Sequence, residues 1–174
     1  MTALLLAVAL ETVYRVNPAK AEAGFDLKAT LHTVHGSTNQ VKGEVRAREE
    51  AEGVLALSGK IEVVAATLDT GNSSRDKKMR GESLAVEQYP VLSLAPERFD
   101  PKTGTLTGAL TIRGVTKPTT IAAKLEAKGD RILVTGTFDV PWLDFGVPDP
   151  SFAIVSVAKI AHAHFSAELV RVSP

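Results

Sequence analysis

Residues 41–48 read Val-Lys-Gly-Glu-Val-Arg-Ala-Arg, small or apolar at every odd position and charged at every even one. A period of two is the geometry of a β-strand, whose successive side chains point to opposite faces, so this stretch forms a strand with one apolar face. The pattern extends in both directions. Upstream, Ala23, Phe25, Leu27, Ala29 and Leu31 alternate with Glu22, Asp26, Lys28 and His32. Downstream, Leu55, Leu57, Gly59, Ile61, Val63 and Ala65 form a third row, and Leu92 and Leu94 lead toward Phe99. Further rows are Leu106 to Ile112, Ile121 to Ala127, Ile132 to Val140, and a last one running Val155, Val157, Lys159, Ala161, Ala163, Phe165, Ala167, Leu169.

Turn chemistry separates these rows: Asp100-Pro101-Lys102-Thr103-Gly104, Lys117-Pro118 and Lys128-Gly129-Asp130 sit where a chain reverses. Connections this short make neighbouring strands antiparallel. One segment breaks the period. Asn72 to Glu87 is highly charged, lacks alternation, and has Ser73 three residues before Asp76, a capping-box-like start. It is expected to form a short helix or helical loop.

About eight alternating strands in one domain-sized chain of 174 residues give an all-β fold, either a sandwich or a closed barrel. Periodicity does not separate the two. The inward rows contain many small residues, among them Ala23, Gly43, Ala47, Gly59, Gly108, Ala123, Ala161 and Ala163, which leave volume unfilled if the strands close. An eight-stranded barrel is just wide enough to hold one small ligand under that condition, so an extended eight-stranded antiparallel barrel with one helical segment at residues 72–87 is the expectation.

Composition narrows the function. With 20 Lys+Arg against 20 Asp+Glu the formal charge is zero, which argues against nucleic acid as a partner. Cysteine is absent, which removes disulfides and thiolate chemistry. The run Ala3 to Leu10 is apolar but far shorter than the ~20 residues that span a bilayer. Residues 1–13 therefore read as an extension or the remnant of an export signal, or else as ordered structure packed on the barrel, and residues 14–174 as a single domain. His162 and His164 share a strand face with Ser166 and Glu168 and read as solvated. No Gly-x-Ser-x-Gly elbow or phosphate-cradling glycine loop is present in the sequence, so a carrier that catalyses nothing, with no cofactor and no metal, is the expectation.

The run Leu68-Asp69-Thr70-Gly71-Asn72, then Arg75-Asp76 and Arg80, then Tyr89-Pro90, then residues 108–118 (GALTIRGVTKP), resembles the YceI-like family of polyisoprenoid-binding proteins. The similarity runs from about Tyr14 to Leu169 and includes Phe25 and Asp144-Phe145-Gly146. The resemblance implies a lipocalin-like barrel with an isoprenoid chain in its tunnel, a polyprenyl phosphate or isoprenoid quinone as ligand, and a periplasmic or secreted location. Three departures stand out: Lys20-Ala21 where the family usually has His-Ser, Lys78-Met79 where a His precedes Leu, and Trp142-Leu143 where Arg precedes the Asp-Phe-Gly.

The expected tunnel lining is Phe25, Leu27, Val45, Leu55, Leu57, Leu92, Leu94, Leu110, Ile112, Val134, Phe138, Trp142 and Phe165. Burial contributes about 0.8 kcal/mol per CH₂ while association costs about 4 to 15 kcal/mol, so useful affinity needs a long tail, a polar anchor, or both. Arg75, Lys78 and Arg80 are head-group candidates because they cluster in the non-strand segment. Arg113 falls on the outward parity and reads as structural. Lys159 falls on the inward parity, where an unpaired ammonium is costly, so either a β-bulge resets the register or the lysine sits at a barrel mouth facing an acidic ligand group. A homodimer is possible. The rival to the carrier is a stress-related or interaction protein with a packed barrel and no lipid ligand.

Overall fold

The computed structural model describes residues 10–151 and 156–172. Its strands are β1 (Glu11–Lys28), β2 (Thr33–Thr38), β3 (Val41–Glu49), β4 (Leu55–Val64), β5 (Val91–Asp100), β6 (Thr105–Ile112), β7 (Val115–Lys128), β8 (Arg131–Val140) and β9 (Ala161–Arg171). Every pairing is antiparallel, and β9 returns to pair with β1, which closes the sheet. The nine strands make an eight-stranded barrel because β2 and β3 are two halves of one interrupted strand. The first half of β1 pairs with β3 (Tyr14↔Val45) and the second half with β2 (Phe25↔Gly36).

The first strand already starts at Glu11, so residues 11–13 are barrel. Residues 1–9, the bulk of the apolar N-terminal run, lie outside the described residues.

Two irregularities set the parity of the walls. The β1–β9 register shifts between Val16 and Ala21, around Pro18, which has no N–H to give to a ladder. The β5–β6 register shifts between Pro96 and Arg98, and this bulge explains how Leu94 and Phe99, of opposite parity, both face inward. Gly43 and Gly59 have a different role from the one their place in the inward rows suggests. They adopt φ of +144° and +116°, and a Cβ on them would lie 2.1 Å from the Lys60 carbonyl oxygen and 2.2 Å from that of Glu44. The two glycines let β3 and β4 approach closely at a bend, rather than merely freeing volume.

Two expected strand ends are corrected. Leu31, placed in the first inward row, is 87% exposed, because the chain turns there and the Ala29 N–H donates to the His32 carbonyl. In the last row, Val155 lies outside the described residues, and Val157 and Lys159 precede the strand, since β9 starts at Ala161. Val157 makes an isolated bridge to Ala29 instead.

The apolar residues pack as three separate clusters. One gathers Leu110, Val140, Trp142, Phe145 and Val157; a second Val16, Ala21, Val41 and Ala167; a third Phe99, Leu106 and Ile121. A filled barrel has one contiguous core. Here the clusters are stretches of wall around an open centre.

Candidate ligand-binding tunnel

The centre is a cavity of about 550 Å³, within the usual range for small-molecule sites. All thirteen residues expected to line a tunnel do so, drawn from seven strands and the turn after β8: Phe25, Leu27, Val45, Leu55, Leu57, Leu92, Leu94, Leu110, Ile112, Val134, Phe138, Trp142 and Phe165. The wall also includes Tyr14, Val16, Val34, Val41, Ile61, Val63, Phe99, Leu106, Leu125 and Leu169. Phe25 and Phe165 lie flat against glycines of neighbouring strands. A Cβ on Gly36 would be 2.4 Å from the Phe25 ring, and one on Gly136 would be 2.5 Å from the Phe165 ring. Without side chains at 36 and 136, both rings stay against the wall and out of the bore.

One end of the barrel has tight turns, and the other carries all the long connections. At that second end the helical segment α1 (Ser73–Lys78), continued by a wider turn at Met79–Ser83, contributes Arg75, Lys78, Met79, Ser83 and Leu84 to the cavity rim. Opposite it, His32, Val147, Pro150 and Val157 complete the rim. Lys78 and His32 are both exposed and both line the cavity, so the bore reaches solvent here. Met79 and Leu84 escaped sequence reasoning because they lie on no alternating strand.

The helix forms where expected but is capped differently. Asn72 is the N-cap, its side chain accepting from the Arg75 N–H at 3.0 Å, while Asp76 turns inward and accepts from the Thr70 N–H and hydroxyl at 3.0 and 2.6 Å. The Thr70 hydroxyl above all, then its amide, with Arg80 and Arg75 nearby, holds the buried Asp76 carboxyl below its ordinary value against the cost of burial. Arg113 anchors the segment from the β6–β7 turn, donating to the Glu82 and Ser83 carbonyls at 2.8 Å each and stacking over Tyr89.

The four head-group candidates separate. Arg75 lines the rim but donates to the Thr70 hydroxyl at 2.8 Å and the Thr70 carbonyl at 2.9 Å. Arg80 points away from the cavity and donates to the Leu68 carbonyl at 2.8 Å, its buried Nε having no partner. Lys159 lies in no strand, so no bulge resets it, and although its loop ahead of β9 is at the mouth end the lysine does not line the cavity. There it pairs with Asp149 and sits 5.6 Å from the centre of the Trp142 ring. Lys78 lines the mouth, is exposed, and has no acidic partner among the described residues.

The Trp142 Nε1–H donates to the Ala158 carbonyl at 2.9 Å, and Thr30 exchanges hydrogen bonds with Ser156. These bonds tie the connection between β8 and β9 across the barrel end. Trp142 is 6% exposed and forms apolar wall.

A YceI-like domain matches residues 14–169. The chain belongs to the YceI-like family. A UPF0312 protein of Enterobacter sp. (strain 638) is 42% identical over 67 residues, covering 37% of this chain and 35% of that protein. The first curated relatives are matched over only about a third to a half of their own length. Among solved structures, BcnA of Burkholderia cenocepacia is similar at a TM-score of 0.74 and 19% identity, covering 88% of this chain and 98% of that one. A polyisoprenoid-binding domain from Saccharophagus degradans is similar at a TM-score of 0.68 and 13% identity, covering 91% of this chain and 98% of that one. At these identities the likeness shows the shared barrel. Among the described residues no helix is long and apolar enough to cross a membrane.

Proposed function

We propose that this YceI-like protein is a non-catalytic carrier that sequesters a polyisoprenoid, an isoprenoid quinone or a similar long-tailed amphiphile in its barrel, in a periplasmic or secreted setting. The observation that carries the reading is the cavity of about 550 Å³ lined by apolar side chains along the barrel. A barrel evolved only as an interaction scaffold gains nothing from leaving that volume open, since each unfilled void forfeits dispersion contacts. The Saccharophagus degradans barrel is described as polyisoprenoid-binding, and the same chemistry suits this bore.

The tail supplies the affinity at about 0.8 kcal/mol per buried CH₂, and the head group stays at the mouth, where Lys78 is the unengaged cation and Arg75 is already committed to Thr70. Among the described residues the rim presents no nucleophile paired with a base, and binding needs none. Native mass spectrometry of freshly purified protein, followed by organic extraction, tests the reading. The expected result is a mass increment matching a prenyl or acyl chain recovered in the extract. A bare polypeptide mass that stays unchanged after incubation with farnesol and longer prenyl alcohols would overturn it.

A further inference from the structure

We propose that the mouth end of the barrel docks on an anionic lipid surface, so that a tail passes between bilayer and bore without crossing water; this rests on the carrier reading above. Five large apolar residues are conspicuously exposed among the described residues: Leu10, Leu31, Val115, Leu143 and Ile160. Four of them, all but Leu10, sit at the one end where the cavity opens, Leu31, Leu143 and Ile160 on its connections and Val115 at the start of β7. Leu31 is 87% exposed, Leu143 43% and Ile160 44%, and each adjoins in sequence a residue of the cavity wall, His32, Trp142 and Ala161 respectively. The three residues lie on two connections: the Thr30–Ser156 bonds join the β1–β2 turn to the β8–β9 connection, and the Trp142–Ala158 bond ties the β8–β9 connection to itself. A protruding apolar rim continuous with an apolar bore is the surface a monomer in water should avoid, and a bilayer interface would bury it.

Charge selects the kind of surface. The connections at this end are balanced in charge, and the strand-end lysines that flank them, Lys28 of β1 and Lys117 of β7, bring residues 28–33, 65–90, 113–117 and 141–160 to eight Lys and Arg against six Asp and Glu, a net +2 in a chain whose total is zero. Lys28, Lys77 and Lys78 are exposed there without an acidic partner among the described residues, with Lys159 paired to Asp149, whereas elsewhere Lys20, Lys42, Lys60, Lys102 and Lys124 each hold a carboxylate and Lys128 is the exposed exception. Free cations around an apolar rim favour phospholipid head groups of negative charge.

The test floats the full chain with vesicles of phosphatidylcholine alone or with added phosphatidylglycerol, and reads tail binding separately as quenching of the single tryptophan, Trp142, by farnesol. The wild type should bind the anionic vesicles more tightly. Leu31→Glu/Leu143→Glu/Ile160→Glu should lose binding at least ~tenfold, and Lys28→Gln/Lys77→Gln about fivefold per lysine at low salt. Both should keep farnesol quenching intact, and Leu10→Glu, at the far end, should float like the wild type. Farnesol quenching without flotation would overturn the docking alone, as would rim variants that float unchanged. So would a wild-type dimer that the rim variants turn into monomers while none of the proteins floats. If farnesol fails to quench the wild type, the carrier reading falls and the docking with it.

Discussion

Val45 offers a direct way to ask whether the bore is open. It is 8% exposed, lines the cavity, and belongs to none of the three packed clusters. In a close-packed core, Val45→Phe would force strain of about 1 to 3 kcal/mol. In an open bore the phenyl group instead enters empty space and occupies the path of the tail. It adds about four carbons, which displace about four methylenes at ~0.8 kcal/mol each, so tail affinity should fall by about 3 kcal/mol, or roughly 100-fold. The substitution leaves Trp142 as the single tryptophan, so farnesol titrations by fluorescence compare directly between proteins. Urea unfolding should show stability held within ~1 kcal/mol. A variant that is destabilised like an overpacked core and binds farnesol as well as the wild type would mean that the bore is not open at Val45.

Ile121 is fully buried in the third cluster and does not line the cavity, so Ile121→Ala should cost about 2 to 5 kcal/mol in urea unfolding while leaving the preference for tail length unchanged. Arg113→Ala removes the two bonds that pin the helical segment to the β6–β7 turn, and exchange of the Leu84 amide, which donates to Met79, should speed up more than that of β8 amides; equal protection in both proteins would contradict the anchor. Lys159, with help from Ser151, holds the Asp149 carboxyl down at about 2 from its usual 3.8. Because the folded value is the lower one, the contribution of this pair is complete above the usual value and is lost as pH falls through about 2. The Asp149 carboxyl should titrate near that pH by NMR and move back toward 3.8 in Lys159→Met; a midpoint insensitive to the lysine would remove the pair from the account.

The barrel was legible because each wall strand must be apolar on one face only, and side-chain parity carries that requirement directly into sequence. The same parity found the thirteen lining residues, since in a barrel the inward face and the bore are one surface. It failed where the chain stops being strand. Thr33–Thr38 presents Val34, Gly36 and Thr38 inward, a row of low hydrophobicity, so β2 left no clear signal. Leu31 and Lys159 keep the parity of the rows they adjoin although the backbone has already turned away from the sheet. The fate of the cations was hidden for a different reason. Arg75 and Arg80 are consumed by carbonyls of Thr70 and Leu68, whose availability depends on the irregular path of residues 65–72. No spacing rule reports such a path, and only the folded chain shows that, of the head-group candidates, Lys78 lines the cavity mouth without an acidic partner among the described residues.

A carrier of this kind takes a hydrocarbon tail into a continuous apolar bore, and a chain-length series measures that uptake. Dissociation constants for prenyl alcohols of increasing length, read from Trp142 fluorescence, should fall steadily as each added isoprene unit buries more apolar surface, and then level off once the bore is full. Affinities that stay the same from the shortest alcohol to the longest would contradict the account.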